Sequence, residues 1–163
     1  MPITLAPYDP RWPTRFHEAR SELVRVLEAE WLVEIEHVGS TAVPGLSAKP
    51  IIDMLAGVRS LESVTSADEA IRSIGYLPWF GADGRISYER RDPQGEPSHH
   101  AHFVAYGGPL WRSQLAFRDA LRGNPSEREA YERLKKDLAA RYSDTRDYSE
   151  AKGPFVRSLL SRT

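Results

Sequence analysis

An aspartate set inside an apolar run constrains this chain more than any other feature. In Ile51-Ile52-Asp53-Met54-Leu55 a carboxylate is flanked on both sides by hydrocarbon, and burying it is costly unless it is paired or binds a cation. Upstream, Val33, Ile35 and His37 alternate with Glu34, Glu36 and Val38, the two-residue period of a strand, and that strand runs into Gly39-Ser40. Pro44 and Gly45 turn the chain back toward the run around Asp53. The unit implied is two strands joined by a loop of phosphate size. Gly39 lets another group approach the backbone, Ser40 offers a hydroxyl and an amide, and Lys49 brings a positive point charge to the same turn. Pro50 to Val58 is almost continuously apolar, as in a central strand covered on both faces.

The rest of the chain supplies strands first and helices afterwards. Phe16, Ala19, Leu23, Val26 and Leu27 recur at helical spacing, so a helix is expected over about residues 13 to 29, with His17 at its surface. Ser60 is placed to cap one helix carrying Leu61, Val64, Ile71 and Ile74 and closed by Gly75. Strands are expected over Tyr76 to Phe80, through Ile86 and Tyr88, and from His99 to Tyr106, with turns at Gly81-Ala82-Asp83-Gly84 and Asp92-Pro93-Gln94-Gly95. In the last of these His100 and His102 share one face. From Pro109 onward the period is helical: Leu110 to Leu121, then a helix begun by Asn124 and Glu127 and striped by Tyr131, Leu134, Leu138 and Tyr142, then one short helix with Phe155, Leu159 and Leu160. Arg118, Arg122, Lys135, Lys136 and Lys152 read as a solvated helical face.

Composition sets the outer bounds. The 163 residues, 40% hydrophobic and 28% charged, are those of one ordinary domain spanning 1–163, with no repeats or long linkers. A net charge of -1 gives no general attraction to nucleic acid or membranes, so nucleic acid is not an expected partner and any anion site must be local. The absence of cysteine removes disulfides, thiol catalysis and zinc-finger ligation and suits a cytoplasmic setting. No stretch approaches the roughly 20 apolar residues of a membrane span.

The stretch Gly39-Ser40-Thr41-Ala42-Val43-Pro44-Gly45-Leu46, followed by Ala48-Lys49-Pro50-Ile51-Ile52-Asp53, resembles the signature of the GrpB family, a group related to the nucleotidyltransferase superfamily. The resemblance extends to Pro7-Tyr8-Asp9-Pro10 with Trp12, to His100-Ala101-His102, to Phe117-Arg118-Asp119 with Leu121-Arg122, and to Tyr148 with Lys152, and so covers nearly the whole chain. It implies an α+β fold: a small mixed β-sheet of nucleotidyltransferase type with flanking and C-terminal helices. It also implies a small-molecule nucleotide or related phosphate ligand, with Gly39, Ser40, Lys49 and Arg85 on phosphate and Glu36 and His37 as second-rank site candidates.

A polymerase-beta-type nucleotidyltransferase carries two carboxylates two residues apart on the strand after Gly-Ser, so that both point at the same pair of magnesium ions. Twelve residues separate Ser40 from Asp53, which suits that pattern, but the positions two before and two after are Ile51 and Leu55. The later strand offers His100 and His102 where a third carboxylate is expected. Imidazoles suit zinc or manganese better than magnesium. Asp53, His100 and His102 are therefore the candidate catalytic residues and the candidate ligands of a divalent metal (Mg, Mn or Zn). The competing reading pairs Asp53 with Lys49 or an arginine and gives the histidines to backbone groups. Position 104 is valine, which excludes a histidine-triad hydrolase, and His37-Val38-Gly39-Ser40-Thr41 lacks the second glycine of a serine-hydrolase elbow. Two functions remain: a metal-dependent transferase or hydrolase, or a catalytically inactive nucleotide- or partner-binding domain of the same fold.

Overall fold

Helix α1 (Trp12–Val26) starts where Pro13 fits a first turn whose amides have no partner inside the helix, and it buries Trp12, Phe16, Ala19 and Leu23 along one stripe. The computed structural model describes residues 3–163. Strands β1 (Leu32–Val38) and β2 (Ile52–Val58) pair antiparallel with Val38 opposite Asp53. The loop between them opens with a 3-10 turn at Ser40–Ala42.

Beyond β2 the single helix expected after Ser60 is two, α2 (Leu61–Ser66) and α3 (Asp68–Ser73), and Ser60 makes no side-chain cap. The break has a local cause. Ser66 turns its hydroxyl onto the Glu62 carbonyl, competing with the helix backbone, and Asp68 and Glu69 supply the acidic first turn of a new helix. The strand expected over Tyr76 to Phe80 shrinks to β3 (Leu77–Pro78), where Pro78 has no amide to extend the ladder. β4 (Arg85–Arg91) and β5 (Pro97–Ala105) form a hairpin around Asp92, whose carboxylate accepts from the amides of Gln94 and Glu96.

The five strands make a mixed sheet in the order β1-β2-β5-β4-β3, parallel only between β2 and β5. β2 is interior as its apolar sequence requires, although β5 holds the middle place. Side chains alternate across the sheet. Ile52, Met54, Ala56, Ala101 and Phe103 face α1 together with Val64 and Ile71, and form the main core. On the other face Val38, Leu55 and Val104 meet Trp111, which belongs to helix α4 (Pro109–Gly123). The remainder of that face carries Asp53 and the histidines.

Three more helices follow: α5 (Pro125–Arg141), α6 (Thr145–Ala151) and α7 (Gly153–Ser161). Asn124 caps α5 by accepting from the Glu127 amide at 3.3 Å. Where one last helix is expected there are two, because the Asp144 carboxylate accepts from the Arg146 and Asp147 amides and starts α6. Val43 and Leu46 pack against Leu121, Tyr131 and Leu159, so the C-terminal helices hold the loop that follows Gly39. Among the described residues no helix is long and apolar enough to cross a membrane.

Candidate metal centre

Strand register brings the candidate residues together. Asp53 stands beside His100 across the parallel β2–β5 ladder, and His100 and His102 stand opposite Glu89 and Ser87 across the antiparallel β5–β4 ladder. All five point to the same face. The Asp53 Oδ1 lies 3.3 Å from His100 Nδ1 and 3.4 Å from His102 Nε2, and one donor atom from each residue lies within 4.8 Å of the others. Ligands bound tetrahedrally at about 2.1 Å are separated from one another by roughly 3.4 Å, and the two distances from Asp53 to the histidines match that spacing.

Each imidazole is oriented through its other nitrogen. His102 Nδ1 lies 2.8 Å from Ser87 Oγ, and His100 Nε2 lies 2.9 Å from Glu89 Oε2. Glu89 is in turn paired with Arg91 at 2.7 Å. A carboxylate or hydroxyl behind a histidine is the usual way to fix the tautomer and ring plane of a metal ligand. Trp79 covers the assembly, its ring stacked on His100 with centroids 3.9 Å apart. The competing reading, in which the histidines go to backbone groups and Asp53 to Lys49 or an arginine, does not describe these contacts.

The charges follow from the geometry. Burial opposes ionisation of Asp53, but hydrogen bonds from His100 and His102 outweigh it and hold the carboxyl well below its ordinary range. Burial likewise opposes a proton on His100, while Asp53 and Glu89 outweigh it and raise its pKa. Without a cation the His100 imidazole therefore holds a proton more firmly than a free one.

Gly39 belongs to the same assembly. Its φ of 76° with ψ of -177° is a conformation open essentially to glycine, and a Cβ there would stand 2.6 Å from Asp53 Oδ2. The carboxylate occupies the space the missing side chain leaves. A cavity of about 160 Å³ opens beside it, lined by Gly39, Asp53, His102 and Arg85 among others. The Arg85 Nε is buried without a hydrogen-bond partner among the described residues, and its guanidinium lies 5.4 Å from the Phe80 ring.

Other expected residues go elsewhere. Lys49 lies over the Tyr148 ring at 5.4 Å rather than on that cavity. Glu36 pairs with Arg118 at 2.7 Å. His37 points to the opposite face of the sheet, stacks on Phe16 and bonds Thr41 at 2.9 Å, and burial pulls its pKa down to about 4. The solvated face expected for the helical cations holds for Lys136 and Arg122 but not for three others. Lys135 is 2% exposed, the Arg118 side chain 10%, and burial depresses Lys152. Apolar periodicity reports where hydrocarbon faces, and a long side chain carrying a terminal ammonium can follow the same stripe inward. Ser87, Glu89 and Trp79 were not singled out from the sequence. The alternation Arg85, Ser87, Glu89 was visible, but only the pairing of β4 with β5 brings it under the histidines.

Similarity to known proteins covers the same span. The sequence profile described as GrpB protein matches residues 2–162. The chain belongs to the GrpB family. The Glutamate-rich protein GrpB of Alkalihalophilus pseudofirmus is 34% identical over 165 residues, which cover 98% of this chain and 94% of that protein. The UPF0157 protein YqkA of Bacillus subtilis is 36% identical over 154 residues, 93% of this chain but only 44% of that longer protein. The crystal structure of the conserved protein GrpB from Enterococcus faecalis has a TM-score of 0.86 and 34% identity, covering 98% of this chain and 96% of that one. The GrpB resemblance read from Gly39 to Asp53 and the α+β fold with a mixed sheet are thereby shown.

Proposed function

We propose that this GrpB-family chain binds a divalent metal through Asp53, His100 and His102 and acts, as a nucleotidyltransferase-like transferase or hydrolase, on a nucleotide or a related phosphate compound. The observation that carries the reading is the donor set itself: one carboxylate and two imidazoles whose donor atoms lie within 4.8 Å of one another, each imidazole oriented from behind. A metal on these donors would polarise a phosphoryl oxygen. The chain's own groups have complementary roles. Arg85 presents an unpaired Nε at the cavity and the Gly39-Ser40 turn presents backbone close to Asp53, both suited to phosphate oxygens. Trp79 limits water at His100.

A second reading, binding without turnover, has its own support. Leu55 occupies the position of a second strand carboxylate and is packed with Val38, Val104 and Trp111, which leaves hydrocarbon where a two-metal site needs an acid. Incubation with labelled nucleoside triphosphates and magnesium, manganese or zinc separates the two: turnover supports the enzyme, tight binding without turnover the binder.

The metal is tested by itself. Zinc or manganese should raise the melting temperature, and more at pH 7 than near pH 5, where protons compete for the imidazoles. Asp53→Asn should abolish the effect. A melting curve indifferent to all these metals, together with no metal in protein purified without an affinity tag, overturns the reading.

A further inference from the structure

A buried lysine is ordinarily paired with an acid. Between the loop after Gly39 and helices α5–α7 three lysines are drawn inward without one among the described residues. Lys135 donates to the Ser47 carbonyl. The ammonium groups of Lys49 and Lys152 lie 5.4 and 4.5 Å from the centre of the Tyr148 ring. Tyr148 is 1% exposed and its hydroxyl has no partner among the described residues. The acids nearby are engaged elsewhere: Glu132 accepts from the Ser47 amide and pairs with Lys136, and Asp53 is held by the two histidines. Burial is the main reason all three lysines hold their protons less firmly than usual, and mutual repulsion adds to it for Lys135 and Lys152.

Such a cluster is destabilising on its own and complementary to a compact, multiply charged anion. A single phosphate group carries about -1.5 to -2 charges, so three ammonium groups over-match one phosphate and suit two linked ones. The position fits the same conclusion. Tyr131, whose ring lies 5.5 Å from the Lys135 ammonium, packs with Val43 and Leu46 of the loop after Gly39, while a side chain at Gly39 itself would meet Asp53. Lys49 thus lies on the loop that leads from the candidate metal centre, and Lys135 of α5 and Lys152, between α6 and α7, approach it from the C-terminal helices. We propose that Lys49, Lys135, Lys152 and the Tyr148 hydroxyl form a binding site for the linked terminal phosphates of a di- or triphosphate. The proposal deepens the phosphate reading above and depends on it for the identity of the whole ligand, but the site itself needs no metal.

The test is calorimetric titration of the full chain at pH 7 with pyrophosphate, tripolyphosphate and orthophosphate in the presence of EDTA. The two linked phosphates should bind, and orthophosphate at least about tenfold more weakly, since each charge-assisted hydrogen bond lost costs roughly that factor. Lys135→Met and Lys152→Met should each weaken pyrophosphate about tenfold or more while melting no lower than the parent, because a buried charge is replaced by hydrocarbon. Tyr148→Phe, which removes only an unpartnered hydroxyl, should weaken it about threefold to tenfold at an unchanged melting temperature. Absence of binding, equal affinity for orthophosphate, or full affinity in Tyr148→Phe with methionine variants that melt far lower would each overturn the site and leave the lysines as structural. Asp53→Asn separates the two readings. Pyrophosphate binding retained after metal binding is lost belongs to the lysines, whereas metal binding without pyrophosphate binding leaves only the metal centre.

Discussion

At the scale of single residues the candidate site is a set of mutual constraints. Gly39 is required twice, by its positive φ and by the Asp53 carboxylate filling its side-chain space, while Ser87 is required only to aim His102. The two demands give different variants. Gly39→Ala should cost about 1–3 kcal/mol of stability from the backbone alone and also displace Asp53, so urea midpoint and metal affinity fall together. Ser87→Ala should weaken metal about 10–100-fold with only a modest change in midpoint. Equal metal affinity in Ser87→Ala and the parent would remove Ser87 from the site. Asp53 was legible in the sequence because a carboxylate among isoleucines demands an explanation, and His100 with His102 because alternate strand residues share a face. Ser87 and Glu89 were not, since their relevance depends on which residue they oppose across a ladder. Lys135 is buried against expectation, because helical spacing states which face is inward and not whether a charge goes with it.

At the scale of elements, the strands with strict alternation were readable and the short connecting pieces were not. β2 and β5 follow directly from their residue pattern, whereas the division into α2 and α3 depends on a serine hydroxyl bonding backward, and α6 depends on the cap formed by Asp144. The loop from Gly39 to Leu46 belongs to neither class. It has little regular structure, yet its Val43 and Leu46 are fully buried against α4, α5 and α7. This packing links the C-terminal helices to the site, because the same loop carries Gly39 and Ser40. Leu46→Ala should therefore cost about 2–5 kcal/mol, the usual range for a buried leucine, and loosen the loop. Faster amide hydrogen exchange at residues 39–46 than in β2 would show the loosening. Exchange accelerated evenly through the sheet would mean that the loop is only part of the general core.

At the scale of the whole molecule, a net charge of -1 conceals a strongly uneven distribution, and its pH dependence is the means of detecting it. Lys135 is lowered to about 7 and Lys152 to about 8, both chiefly by burial. Between those values and the ordinary 10.5 the unfolded chain binds more protons than the folded one, so stability rises with pH through that window. Below about pH 7 both lysines are charged in either state and the full penalty is present. Other groups bound the useful range. The raised pKa of His100 adds stability that is full below 6.5 and disappears as pH climbs through the folded value, an opposite slope at the lower end. Burial raises Tyr148 to about 12 and also raises Tyr131, so the unfolded chain begins to lose phenol protons first near pH 10 and stability falls again above it. The clean interval is about pH 8 to 9.5, where stability without ligand should increase by about 1 kcal/mol per pH unit for each lysine still titrating, given 1.36 kcal/mol per unit of pKa. Lys152→Met should reduce the slope by about half in urea melts, leaving the share of Lys135. Saturating sulfate, which does not titrate in this range, should flatten it too by restoring the ammonium charges. A slope that persists unchanged in Lys152→Met would remove Lys152 from its origin, and one unchanged in Lys135→Met as well would place that origin outside the two lysines.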